Sequence, residues 1–355
     1  MKIIVSLLIF LMLLGCQQKT DIEEEMSTRT QVLMGTLVSI TLPSKYPQNI
    51  TQSFTHIKKI ENSLSSYASH ASIYKLNQKH HISYDNYVAE ALQLSQSYFQ
   101  ETEGYFDVTI GSITKNLYHI GEEDTSIPTQ KKLHNAVLNI DGISISPKSI
   151  RTKKGITVDL GGIGKGFAVD KISTYLNEQN ISKGIIALSG DIRCLNVCTL
   201  ALQSPYTEQT FATITSTIPQ LSISTSGTYR RYIESKEHHH LIDPKMATQG
   251  KAFTTVSLFA QKNNAKIDAY ATAISVMPKQ KALHFLKQHQ EIGFILVESK
   301  GNILYGNLEK FLTLVWIDYK EKASRPKTKM NTHTNNPIAT NLIHPDTSNP
   351  KEISR

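Results

Sequence analysis

Val158-Asp159-Leu160-Gly161-Gly162-Ile163-Gly164-Lys165-Gly166-Phe167-Ala168-Val169-Asp170 passes from an apolar segment through an acid and four glycines into a helical pattern. A strand over 156–160, a glycine turn and a helix over 167–176 make a geometry suited to phosphate, because open amides and a helix N-terminus favour an anion. Two familiar phosphate fingerprints do not match. A Walker A loop needs Ser or Thr after its Gly-Lys, whereas Gly166 follows Lys165, and the spacing differs from G-x-G-x-x-G. On the glycines alone, a tight strand-to-helix turn without a ligand explains the stretch equally well.

Outward from this stretch, residues 31–42 alternate as a strand, and Ile50, Phe54, Ile57, Ile60 and Leu64 recur at the spacing of an amphipathic helix. A second helix over 88–99 stops at Gly104. Downstream, 184–188, 199–202, 211–215, 221–225 and 254–260 read as strands, 265–277 as a helix, and Pro278 as the start of a helix over 279–290. Strands over 293–297, 302–305 and 311–318 close the domain. Strands and helices mix without strict alternation, which predicts an α+β fold and not a doubly wound parallel sheet. No internal repeat and no shift in composition divides the chain before Lys320.

The chain of 355 residues opens with Met1-Lys2, an apolar run and Leu13-Leu14-Gly15-Cys16. A basic start and a short apolar segment describe a secretory signal, too short to span a bilayer. The ending resembles a bacterial lipobox, with cleavage before Cys16 and lipid on its sulfur; the alternative is a signal with an incidental cysteine. The expected organisation is a signal peptide over 1–15, a flexible acidic tether over 16–28, a catalytic domain over 29–320 and a basic, disordered tail over 321–355. This predicts a membrane-anchored lipoprotein on the periplasmic or extracytoplasmic side. There Cys194 and Cys198 would lie in an oxidising compartment. They are expected to bridge a hairpin tip between 185–188 and 199–202; a metal site would need further ligands nearby. The formal charge of +8 belongs partly to the tail. Lysines in the body are scattered and not interleaved with aromatics, which argues against nucleic acid as a partner.

Two further constellations carry chemistry. Asp268 and Thr272 are four apart in a helical run of small residues and so share a face. A carboxylate and a hydroxyl there suit a hard cation such as Mg²⁺, which takes oxygen ligands and shares them with phosphates; the competing reading makes Asp268 a helix cap and Thr272 a core residue. In His238-His239-His240-Leu241-Ile242-Asp243-Pro244, neighbouring histidines on a strand alternate sides, so one or two at most serve a common site and the others are expected at the surface.

Together these motifs resemble the ApbE-type FAD:protein FMN transferases. The resemblance runs in order through Met34-Gly35-Thr36, Leu64-Ser65-Ser66-Tyr67, residues 104–111, residues 158–170, Ser189-Gly190-Asp191-Ile192, residues 223–229, His240-Leu241-Ile242-Asp243-Pro244 and Asp268-Ala269-Tyr270-Ala271-Thr272. It implies a single T-fold-related catalytic domain with largely antiparallel sheets and packed helices. It also implies a reaction in which FAD is split at its pyrophosphate, FMN passes to a threonine hydroxyl of an acceptor protein, and AMP leaves. The acceptors would be flavin-carrying subunits of membrane redox complexes with a D-G-x-T-type site. The chain's own Asp141-Gly142-Ile143-Ser144 lacks that threonine, as befits the enzyme and not the acceptor.

By the same resemblance, the Gly162 carbonyl, Asp268 and Thr272 ligate Mg²⁺, while Asp159 and Lys165 touch the cofactor. Met34, Tyr67, Tyr105, Phe106, Asp107 and Ile242 line the flavin and adenine, and His240 is the base. Two positions depart from the pattern: some members carry an acid at the position of Lys165, and some carry a second acid where this chain has Ala271. Two alternatives remain open on the sequence: an FAD pyrophosphatase giving FMN and AMP, and a flavin-binding lipoprotein without chemistry.

Overall fold

Alternation along the middle strands decides the layering. In the computed structural model, which describes residues 24–229, 231–317, 327–330 and 337–338, Ile186, Leu188, Val256, Leu258, Phe294, Leu296 and Leu304 belong to one buried cluster. Their strand neighbours Ile223, Phe259, Ile295, Val297 and Ile303 belong to another. Successive side chains of a strand point to opposite faces, so the middle of this sheet is buried on both.

It has ten strands, and their spatial order follows the chain: β1 (Met26–Leu33), β2 (Thr36–Pro43), β3 (Ile185–Leu188), β4 (Asp191–Cys194), β5 (Leu221–Gly227), β6 (Phe253–Gln261), β7 (Gly293–Glu298), β8 (Ile303–Gly306), β9 (Lys327–Met330) and β10 (Pro337–Ile338). Neighbours are antiparallel except β8 and β9. Helices α1 (Pro47–Leu64), α2 (Asn86–Glu101), α3 (Gly164–Glu178) and α4 (Asn264–Val276) cover one face. A three-stranded antiparallel sheet of Thr199–Gln203, Thr210–Ser216 and Leu312–Trp316 covers the other. The architecture is the expected α+β with largely antiparallel sheets.

Several local expectations need correction. Residues 31–42 are not one strand: Met34 and Gly35 adopt positive φ (52° and 68°) and reverse the chain between β1 and β2. Residues 156–160 are extended but belong to no strand, with only an isolated bridge between Ile110 and Thr157. The Asn77 side chain stands in for a neighbouring strand, accepting from Val158 N–H (2.8 Å) and donating to Val158 C=O (2.9 Å). Cys194 and Cys198 are bridged. Their loop does not tip a hairpin between 185–188 and 199–202, because β3 pairs with β4; it links the large sheet to the small one. The first described strand, β1, begins at Met26, within the stretch assigned to the tether. Of the tail, expected to lack order, β9 and β10 are described as strands. The signal peptide and Cys16 lie outside the described residues. No helix among the described residues is long and apolar enough to cross a membrane.

The glycines of the decisive stretch serve close approach. None of the four has positive φ. A Cβ on Gly166 would lie 2.4 Å from the Asn264 carbonyl oxygen and 2.8 Å from Asp268 Cβ, so only glycine lets α3 cross α4 this closely. A Cβ on Gly162 would lie 2.9 Å from Thr272 Oγ1. At Gly164, by contrast, the only atom within 4 Å would be Met34 Cε at 3.7 Å.

Gly166→Ala is therefore expected to destabilise the protein by about 1–3 kcal/mol through overpacking, despite the roughly 1 kcal/mol that alanine gains over glycine in a helix. Gly164→Ala should be neutral or stabilising. Denaturant unfolding of both variants checks this, and equal stability would show that the helix crossing does not depend on Gly166.

Candidate active site

Helix α4 is buried almost all round, and Asp268 in its second turn is only 2% exposed. An isolated carboxylate there would be very costly, so its charge must be compensated. Gly166 N–H donates to Asp268 Oδ2 at 3.0 Å, and Lys165 Nζ stands 3.4 and 3.5 Å from its two oxygens. Asp268 is not the cap of its helix. That role falls to Asp170 on α3, whose carboxylate accepts from the N–H groups of Asn264 (2.9 Å) and Ala265 (2.8 Å) and pairs with buried Arg193 at 2.5 Å. Thr272, one turn beyond Asp268, reaches Gly162. The structure thus brings Thr272 to Gly162 and the Asp268 carboxylate to Gly166.

A second carboxylate enters from the sheet. Asp191 opens β4 after the Ser189-Gly190 turn, and its Oδ1 accepts from Ser224 Oγ at 2.6 Å. Its Oδ2 is buried without a hydrogen-bond partner and is held by charge against Lys165 Nζ at 2.7 Å. Burial and the Asp191 charge push the Asp268 carboxyl up, against Lys165 and the Gly166 amide. Burial works against the Lys165 charge, but the two carboxylates outweigh it and raise its pKa. Ala271, buried on the same helix, adds no oxygen.

Asp159 lies at the entrance of the glycine turn. Burial opposes its charge, yet Lys115 at 3.7 Å, the Thr114 hydroxyl at 2.7 Å and the Gly161 amide at 2.9 Å hold its pKa below the ordinary value. Lys115 is buried and also contacts the Tyr67 hydroxyl, which donates to the Ile120 carbonyl at 2.9 Å. No sequence signal pointed to Lys115, a lone lysine in a short helical turn. Asp191 stood inside a quoted motif without a role.

The other expected residues separate into two groups. Met34 reaches Gly164, its amide anchored to Glu61 Oε1 at 2.7 Å, and Phe106 packs against Gly162. Tyr67 is half exposed. Tyr105 lies beneath Lys245 Nζ, 4.4 Å from its ring centre. Asp107 is turned inward: its Oδ1 accepts from both the amide (2.7 Å) and hydroxyl (2.6 Å) of Thr109 and shapes the loop, while burial raises its pKa. Ile242 is buried in a satellite cluster with Ile113, Tyr118 and Leu133, so the structure gives it a packing role.

The histidines divide clearly. His239 is not at the surface: it is buried, with one ring nitrogen on the Gly250 carbonyl (2.9 Å) and the other accepting from Leu241 N–H (3.2 Å). His240 Nδ1 faces the Arg231 carbonyl at 3.1 Å. A carbonyl only accepts, so Nδ1 carries the proton and Nε2 keeps its lone pair. His240 is close enough to Asp159 and Lys165 for their charges to be felt. Burial, helped by the charges of Arg231 and Lys165, brings its pKa down to about 4.

Among the described residues there is no cluster of three or more His, Cys, Asp or Glu suited to a metal. The oxygens that gather here are instead two carboxylates around Lys165 and the Thr272 hydroxyl beside Gly162, hard donors of the kind that Mg²⁺ takes. Asp191 Oδ2 faces the Lys165 ammonium at 2.7 Å, so a cation already balances this buried oxygen.

The fold is shared with solved structures of ApbE proteins. The ApbE protein of Thermotoga maritima superposes with a TM-score of 0.72 at 20% identity, over 79% of this chain and 96% of its own. A flavin transferase ApbE from Vibrio cholerae superposes with a TM-score of 0.70 at 20% identity, over 81% and 99%. The ApbE family model matches residues 34–296, and the chain belongs to that family. Its relatives include the FAD:protein FMN transferase of Klebsiella pneumoniae (strain 342), 24% identical over 79% of this chain and 91% of the relative. Another is the enzyme of the same name from Vibrio cholerae serotype O1, 26% identical over 81% and 91%.

If burial sets the state of His240, its imidazole stays neutral as pH falls through 6.5 and protonates only near 4. A depressed pKa favours the neutral form on folding, so the stability it contributes is complete above 6.5 and is lost as pH falls from there toward 4. Nitrogen-15 NMR of the ring should show an Nδ1–H tautomer at pH 6; a midpoint near 6.5 would show that partial burial and the neighbouring charges do not hold the ring neutral.

Proposed function

We propose that the chain catalyses Mg²⁺-dependent transfer of FMN from FAD to a threonine hydroxyl of an acceptor protein, releasing AMP. The observation that carries this reading is the convergence of Lys165, Asp191 and Asp268 beside a neutral histidine at the N-terminus of α3. Asp268, Thr272 and the Gly162 carbonyl would hold the metal, which when bound neutralises charge on the diphosphate and its leaving group. The amides of the glycine turn, Lys165 and Arg231 would draw the anionic diphosphate to the same place. Phe106 and Met34 flank the turn and offer an aromatic face and a sulfur to a flat ring.

A threonine hydroxyl is a weak nucleophile at neutral pH and needs a base. His240 suits that role: the Arg231 carbonyl fixes its tautomer, and Nε2 is free to accept the hydroxyl proton. The threonine oxygen then forms a bond to the phosphorus of the FMN half, the bond to the AMP phosphate oxygen breaks, and AMP carries that oxygen away. A lipid anchor on Cys16 and an extracytoplasmic location, as the sequence leads one to expect, would suit acceptors that are subunits of membrane redox complexes carrying a D-G-x-T-type site.

The test is intact mass of such an acceptor after incubation with FAD and Mg²⁺. A gain of one FMN moiety is expected, abolished in Asp268→Ala and slowed at least a hundredfold in His240→Ala with FAD affinity little changed. Appearance of FMN and AMP with an unmodified acceptor would replace the transferase by a pyrophosphatase, and intact FAD throughout would leave only a flavin binder.

A further inference from the structure

The ammonium of Lys165 stands between the two buried carboxylates of the site. It contacts Asp191 Oδ2 at 2.7 Å and both oxygens of Asp268 at 3.4–3.5 Å, and so neutralises the carboxylate proposed as a metal ligand. Two cations cannot share that space, because like charges repel strongly where water is largely excluded. The lysine nevertheless has a way out. Its side chain is 24% exposed, in contrast to 1% for Asp191 and 3% for Asp268. It also springs from the first turn of α3, beside the amides of the glycine turn.

Resting on the proposed metal-assisted reading, we infer that Lys165 is a resident counter-ion that competes with the metal for Asp268 and Asp191. Without substrate it closes on the two carboxylates and keeps the site weak for divalent cations. When a diphosphate arrives, the ammonium transfers to the phosphate oxygens and the carboxylates are released to the metal. Metal and dinucleotide therefore bind cooperatively, and Lys165 is the residue that couples them. Asp191 becomes part of the metal-binding region, its Oδ2 uncovered when the lysine leaves.

The test measures Mn²⁺ binding to the full chain without FAD, by the loss of the free-ion electron paramagnetic resonance signal. Lys165→Met should bind Mn²⁺ at least tenfold more tightly than wild type, and Lys165→Arg, which keeps the cation, should not. The gain should vanish in Lys165→Met/Asp268→Asn. Adding an FAD-sized diphosphate such as ADP-ribose should tighten Mn²⁺ binding to wild type much more than to Lys165→Met. If wild type and Lys165→Met bind equally, through Asp268, the counter-ion role is overturned and the metal site stands. If no protein binds Mn²⁺ through Asp268, with or without the diphosphate, the metal assignment falls and this inference falls with it.

Removing the lysine also leaves two carboxylates facing each other, and the variant could fail to fold without metal. Thermal unfolding then gives the answer: Mn²⁺ should raise the melting temperature of Lys165→Met and barely move that of wild type, whereas equal shifts would overturn the proposal.

Discussion

The structure of the site depends on keeping one charge, the Asp268 carboxylate, ionised on a helix that is buried almost all round. Everything nearby serves that constraint. Glycine at 166 lets α3 come close enough for its amide to reach the carboxylate. Lys165 supplies the opposite charge, Asp170 fixes the start of α4, and Arg193 fixes Asp170. Breaking a buried pair of this kind typically costs several kcal/mol, because the surviving charge is left uncompensated. The same arrangement makes the site reactive toward cations and anions, since a carboxylate held in place by charge can exchange its partner.

The chain carried much of this in readable form. The mixture of short strand-like runs and helical runs, without strict alternation of the two, made the α+β class legible, and the four-residue spacing of Asp268 and Thr272 placed both on one face. The resemblance to ApbE enzymes supplied the order of the motifs, which no single motif could. What stayed hidden depended on contacts distant in sequence. The segment around Val158 has the composition of a strand, but its hydrogen bonds go to the Asn77 side chain, so composition alone could not tell the two apart. The reversal at Met34 was masked because a methionine takes positive φ there beside Gly35.

The same reason explains the site residues that were missed or misread. Asp191 reaches Asp268 across a sheet-to-helix contact, and Lys115 reaches Asp159 across a loop. His239, one of three adjacent histidines, is buried because it satisfies the Gly250 carbonyl and the Leu241 amide. Ile242 and Asp107 sit in motifs that resemble cofactor-lining segments, yet their contacts are a small apolar cluster and the Thr109 turn. The four glycines look alike in sequence, but Gly162 and Gly166 are required by close packing while Gly164 has room.

A crystal structure of the chain with FAD and Mn²⁺, with the metal located by its anomalous signal, tests the account most directly. The account predicts a single strong peak in contact with Asp268, Thr272 and the Gly162 carbonyl, with the FAD diphosphate against the glycine turn and Lys165 Nζ on its oxygens. A peak elsewhere, or a diphosphate bound away from the glycine turn with Lys165 still closed on Asp191 and Asp268, would contradict it.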